Sequence, residues 1–117
     1  MNDDELTNDE KYYLSVLYKE YLTRINAGTN KKEAKFFDNV VTLNASLFPE
    51  WSRKEISEII DELKDAGFAT CEHYMNYAGM ASEIKITSKA VAYGEQKFKR
   101  NLNSVINGIA TIKKLIL

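Results

Sequence analysis

One cysteine, one proline, one histidine and five glycines are scattered through the 117 residues, and each scarcity closes off a class of protein. The single thiol, Cys71, cannot close an internal disulfide, so the sequence reads as that of a cytoplasmic protein in a reducing setting. The dispersed glycines leave no glycine-rich phosphate loop, and with Pro49 as the single proline there is no low-complexity linker. No apolar run is long enough to span a bilayer, and the opening NDDEL is acidic where a secretory leader would be basic and then apolar. An excess of one charge sign is missing too. Sixteen Lys and Arg against 17 Asp and Glu leave a formal net charge of -1, so no global basic field draws the chain to nucleic acid or membrane. What remains is the composition of a globular domain, with 44% hydrophobic residues to build a core.

What the chain does have is well-marked helix ends. Ser52 to Glu55 reads S-x-x-E, a capping box, with Trp51 and Ile56 placed as a hydrophobic staple. Ile56, Ile59, Ile60, Leu63 and Ala66 then form one helical face, and Gly67 stands as a left-handed stop before Phe68. A second box, Thr7 to Glu10, opens an earlier helix whose apolar face runs through Tyr13, Leu14, Leu17, Tyr18, Tyr21, Leu22 and Ile25 to a stop at Gly28. Residues 29–35 read as a polar, lysine-rich connection or a short helical turn. Between the two boxes a helix is expected from Asp38, as N-cap, to about Leu47, ended by Phe48-Pro49. The break from Phe48 to Trp51 is the candidate turn of a helix-turn-helix.

After Gly67 come two strand-like runs, Phe68 to Tyr74 and Met80 to Thr87. The second alternates with period two, and Asn76 to Gly79 has turn composition between them. Thr87 or Ser88 then opens a C-terminal helical region in which Gly94 and Gly108 are weak points, one of them the place for a bend. From Phe98 the apolar residues fall at Phe98, Leu102, Val105, Ile109, Ile112 and Ile116, a heptad-like seam. The expected fold is mainly α with a small β-hairpin, in the α+β class. It is divided into a frayed terminus at 1–6, a domain at 7–96 and an amphipathic helix at 97–117.

The stretch SRKEISEIIDELKDAGF, the hairpin after it, and ITSKA at Ile86 to Ala90 resemble small winged-helix proteins of the MarR and PadR type. Those proteins show a helix ending in L-x-x-x-G-hydrophobic, a wing, and L-T-x-x-G opening a further helix; here Ala90 stands in place of the last glycine. More narrowly, residues 6–96 resemble the YjcQ-like winged-helix proteins encoded in Gram-positive prophages. The resemblance implies a winged helix-turn-helix with a C-terminal helical extension, a role in transcription regulation, and dimerisation through terminal helices.

In a helix that reads DNA, the first residues of the solvent face reach base edges. Here those are Arg53, Lys54 and Ser57. Lys31, Lys32 and Lys35 form the best basic cluster and read either as phosphate anchors or as a solvated polar loop; Asn76 and Tyr77 stand at the wing tip, where Tyr77 either meets DNA or covers the hairpin. Against this, Glu58, Asp61, Glu62 and Asp65 crowd the same helix and oppose the electrostatic attraction on which DNA affinity rests. The leading expectation is a homodimeric regulator bound to double-stranded DNA. The alternative is a protein-interaction module that presents its acidic third helix.

The seam at Phe98, Leu102, Val105, Ile109, Ile112 and Ile116 is too apolar to be left in water and is expected to form the dimer interface, with folding back across the first helix as the alternative. Lys97, Lys99, Arg100, Lys113 and Lys114 flank it, but three asparagines make the polar face less cationic than that of lipid-binding helices, so membrane contact is only a minor expectation. No catalytic residues, cofactor or metal are expected. Cys71 and His73 share one face of a strand, yet two ligands are too few for a structural zinc site, and no pocket signature accompanies them as a nucleophile and base. The acidic pairs Asp3/Asp4 and Asp61/Glu62 read as solvated.

Overall fold

A computed structural model of the chain describes residues 5–116. Most of the expected frayed terminus, residues 1–6, and the whole Asp3/Asp4 pair fall outside the described residues. The described chain is mostly helix with a small antiparallel sheet, an α+β arrangement. Its elements are α1 (Asn8–Asn26), α2 (Lys31–Ala34), β1 (Phe36–Asp38), α3 (Val40–Ser46), α4 (Arg53–Asp65), β2 (Ala69–His73), β3 (Ala81–Ile86), α5 (Ser88–Phe98) and α6 (Leu102–Ile116). They gather into two compact units. One draws on both ends of the sequence, from Met1–Ala34 and Lys89–Leu117; the other is the continuous segment Lys35–Ser88. The expected boundary between residues 96 and 97 falls inside α5.

The unit built from the two ends starts at the Thr7 box. Thr7 N–H donates to Glu10 Oε1 at 2.8 Å, and Thr7 Oγ1 accepts from Glu10 N–H at 3.1 Å. The helix closes as the sequence predicts, with Gly28 at φ 95° and Thr29 N–H donating to the Arg24 carbonyl at 2.9 Å. Arg24 pairs with Glu20 and donates to the Ala34 carbonyl, which ties the single turn of α2 back to α1. Tyr12, Tyr13, Leu14, Leu17, Tyr18, Tyr21 and Leu22 of α1 are buried, and α6 packs along α1.

Neither helix glycine marks the bend. The chain turns at Lys99 and Arg100, both left-handed (φ 52° and 57°), and Asn101 caps α6 by accepting from Ser104 N–H at 3.1 Å. Gly94 and Gly108 are instead points of close approach. A Cβ on Gly94 would stand 2.3 Å from the Tyr18 ring, and one on Gly108 would stand 2.6 Å from Phe98. Tyr18 in turn stacks on Phe98, with ring centres 6.2 Å apart.

In the Lys35–Ser88 unit, α3 begins one residue later than the sequence suggests. Asn39, not Asp38, is the N-cap, and its Oδ1 accepts from Thr42 N–H at 3.0 Å. Asp38 is the last residue of β1 and holds a left-handed φ of 66°. Strand β1 is itself an addition to the expected hairpin, giving a three-stranded antiparallel sheet in the order β1-β3-β2. The turn between α3 and α4 is pinned by Asn44, whose Nδ2 donates to the Phe48 and Trp51 carbonyls at 3.0 and 2.7 Å.

Helix α4 has both predicted ends. Ser52 and Glu55 exchange two hydrogen bonds at 3.1 Å. At the other end Phe68 N–H donates to the Leu63 carbonyl and Gly67 N–H to Lys64, a Schellman closure with Gly67 at φ 88°. Ile56, Ile59, Ile60 and Leu63 are buried. The pairing of β2 with β3 slips by one residue between Thr70 and Glu72, where Glu83 takes a left-handed φ of 49°, a bulge opposite Cys71. Thr87, just before α5, donates its hydroxyl to the Gly67 carbonyl at 2.7 Å.

Candidate functional site on helix α4 and the hairpin

Arg53 and Lys54 sit in the first turn of α4 and are exposed, as are Glu58, Glu62 and Asp65 further along. Ser57, expected on the same solvent face, is buried instead. Its Oγ accepts from Ala81 N–H at 3.0 Å, so the hydroxyl locks α4 to β3. Position 57 lies on the flank of the Ile56-Ile59-Ile60-Leu63 stripe, where the approach of a strand decides between burial and exposure. Lys35 is half-buried and its Nζ donates to Ser88 Oγ at 3.4 Å. Lys31 and Lys32 are exposed on α2 and belong to the other unit.

The hairpin tip is a single 3-10 turn, Met75–Tyr77, closed by Ala78 at φ 55°. Asn76 is exposed and Tyr77 half-buried. The exposed surface there is chiefly apolar, with Met75 at 90% and Tyr74 at 46% accessibility.

The C-terminal seam is divided. Phe98, Val105 and Ile112 are buried within the chain, whereas Leu102, Ile109 and Ile116 are half-buried. The packing of α6 along α1 therefore corrects the expectation that all six residues face a second copy. Ile106, beside Leu102 and Ile109 on α6, keeps 47% of its surface exposed. Among the described residues, no helix is long and apolar enough to cross a membrane.

One grouping was not expected from the sequence. Cys71 and His73 do lie together on β2, and the packing of α4 brings Asp61 to them. The His73 Nε2 lies 2.9 Å from one Asp61 carboxylate oxygen and 3.2 Å from the other. The Cys71 Sγ lies 3.6 Å from Asp61 Oδ1. Lys64, one turn beyond Asp61, donates Nζ to the Cys71 carbonyl at 3.3 Å and so fixes the strand against the helix. Burial pushes the Cys71 thiol up to about 11, and the adjacent Asp61 carboxylate adds to the rise. A thiol held there is protonated at neutral pH and is not an activated nucleophile. The sequence held one signal of this grouping, the i,i+2 spacing of Cys71 and His73. The third member lies ten residues upstream on another element and became visible only once α4 was packed on β2. No protein-family model, curated protein or solved structure matches the chain.

Proposed function

We propose that the chain is a winged-helix protein that binds double-stranded DNA through α4, as a homodimeric transcription regulator. The observation that carries this reading is the order β1-α3-α4-β2-β3 within one compact unit, with Arg53 and Lys54 exposed in the first turn of the second helix. A helix-turn-helix followed by a hairpin presents the N-terminal turn of its second helix to the major groove. Of the expected α4 contacts only Arg53 and Lys54 remain in the reading, because Ser57 is spent on β3. Pairing of two copies rests on the outer strip of α6, Leu102, Ile106 and Ile109.

The test is the anisotropy of a labelled duplex at low salt. Binding should weaken as salt rises, and the double change Arg53→Ala, Lys54→Ala should lower affinity at every salt concentration. An unchanged affinity would remove these two residues from the interface.

A second reading has its own support. The exposed Glu58, Glu62 and Asp65 repel phosphate, and the hairpin tip offers Tyr74 and Met75 rather than arginine or lysine. These features suit a protein-interaction module. Retention on heparin at low salt favours DNA; flow-through favours a protein partner.

A further inference from the structure

We propose that Asp61, Cys71 and His73 form a site for one divalent transition-metal ion of the zinc class, with water completing its coordination. Among the described residues this is the group in which three metal-ligating side chains converge, each offering one donor atom, all within 4.8 Å of one another. The donors are a sulfur, an imidazole nitrogen and a carboxylate oxygen. That mixture suits zinc and its borderline-soft neighbours and is wrong for calcium or magnesium, which take oxygen ligands.

The spacing is close to what such an ion requires. Zinc binds these atoms at about 2.0–2.3 Å, which for a tetrahedral ion places ligand atoms roughly 3.3–3.7 Å apart. Sγ and Oδ1 are already 3.6 Å apart, and Nε2 is 2.9 Å from Oδ1. With all three donors within 4.8 Å of one another, an ion is accommodated by adjusting the side-chain torsions of His73 and Asp61. The surroundings also fit. Cys71 is 5% exposed and forms a floor, while the side chains of His73 (36% exposed) and Asp61 (43%) leave a path for entry. The Lys64 tie to the Cys71 carbonyl holds the strand that carries two of the donors.

Charge balances as well. A thiolate and a carboxylate together cancel the two positive charges of the ion, and the thiol proton leaves to solvent on binding. Two ligands were too few for a zinc site; Asp61 makes three, the number found where zinc keeps an open position for water. The inference stands apart from the DNA reading, because none of its residues is an assigned DNA contact.

Cobalt(II) is the probe. Added to the reduced full chain, it should bind at one equivalent, with visible d–d bands and a near-ultraviolet thiolate-to-cobalt band, and zinc should displace it. Cys71→Ser should abolish the thiolate band. His73→Ala and Asp61→Asn, both at partly exposed positions, should keep the far-ultraviolet circular dichroism of the parent. Each should weaken binding by more than the roughly 10–100-fold typical of changes outside the ligand set. These two variants decide the matter if Cys71→Ser does not fold. Absence of cobalt bands in the parent, parent-like affinity in folded His73→Ala or Asp61→Asn, or half an equivalent per chain would overturn a three-ligand site within one chain.

Discussion

At the scale of single residues, the fold relies on a few side chains whose work is invisible from their type. Ser57 is the clearest. A small polar residue on a charged helix reads as solvated, yet its hydroxyl satisfies the Ala81 N–H in a buried position. Ser57→Ala leaves that amide without its acceptor, so a loss of about 1–3 kcal/mol is expected in urea unfolding with an unchanged m-value. Gly94 is the second. Alanine is the better helix former by about 1 kcal/mol, but its methyl would enter the Tyr18 ring. Gly94→Ala should therefore destabilise by about 1–3 kcal/mol, as overpacked cores do; a higher thermal midpoint would show that the ring yields freely.

Glu55 carries a pH signature. Hydrogen bonds from the Ser52 backbone and side chain hold its carboxyl below the ordinary glutamate range. A depressed carboxyl contributes stability that is present above its unfolded value, about 4.3, and is lost as pH falls through the lower folded value. Glu55→Gln should thus differ most from the parent near neutral pH and converge with it in thermal melts taken progressively below pH 4.

At the scale of elements, the sequence was readable where the cause of structure is local. The Thr7 and Ser52 boxes and the Gly28 and Gly67 closures act over three to six residues, and all four formed where expected. Strand β1 left no comparable trace. Three residues, Phe36–Asp38, are too few to show a period of two, and what makes them a strand is the edge of β3. The N-cap of α3 slipped from Asp38 to Asn39 for the same reason: Asp38 is held by strand pairing, so the next capping side chain begins the helix. The seam of α6 was legible as a seam but not as to its partner, because a heptad pattern states that a face will be buried and is silent on which surface buries it.

The turn between α5 and α6 is where an element could be improved. Lys99 and Arg100 both adopt left-handed angles, which disfavour a Cβ. Arg100 pairs with Glu95, whereas Lys99 is exposed. Lys99→Gly is expected to stabilise by about 0.5–1 kcal/mol in chemical denaturation, the strain relieved exceeding the added freedom of the unfolded chain. Ile106→Glu addresses the outer face of the same helix. If copies pair through α6, light scattering should show this variant as a monomer at concentrations where the parent is a dimer.

At the scale of the whole molecule, the candidate site was half legible. Arg53 and Lys54 form the exposed first turn that the capping box predicts, because such a box fixes which residues begin a helix. In the sequence Asp61 is one more solvated carboxylate, since its partners arrive from a strand that only tertiary packing sets beside it. The pairing bears on the DNA reading too. Of the five carboxylates on α4, Glu55 is engaged in the Ser52 cap and Asp61 is turned toward the hairpin, leaving Glu58, Glu62 and Asp65 to face solvent. Replacing those three with glutamine should raise affinity for a random duplex and leave the Arg53 and Lys54 dependence intact, measured by the same anisotropy titration.

The interleaving of the two units also orders events during synthesis. Lys35–Ser88 is an uninterrupted segment, so every partner in its sheet and helices is available once Ser88 has left the ribosome. Helix α1 precedes that segment but is completed after it, because α6, which packs along α1, lies downstream of the entire other unit. A nascent chain stalled before Leu102 would thus carry a finished sheet together with a sticky, half-clothed first helix. Chaperone capture, aggregation of truncated products and sensitivity to translation speed should all trace to α1 rather than to the segment that bears the candidate site.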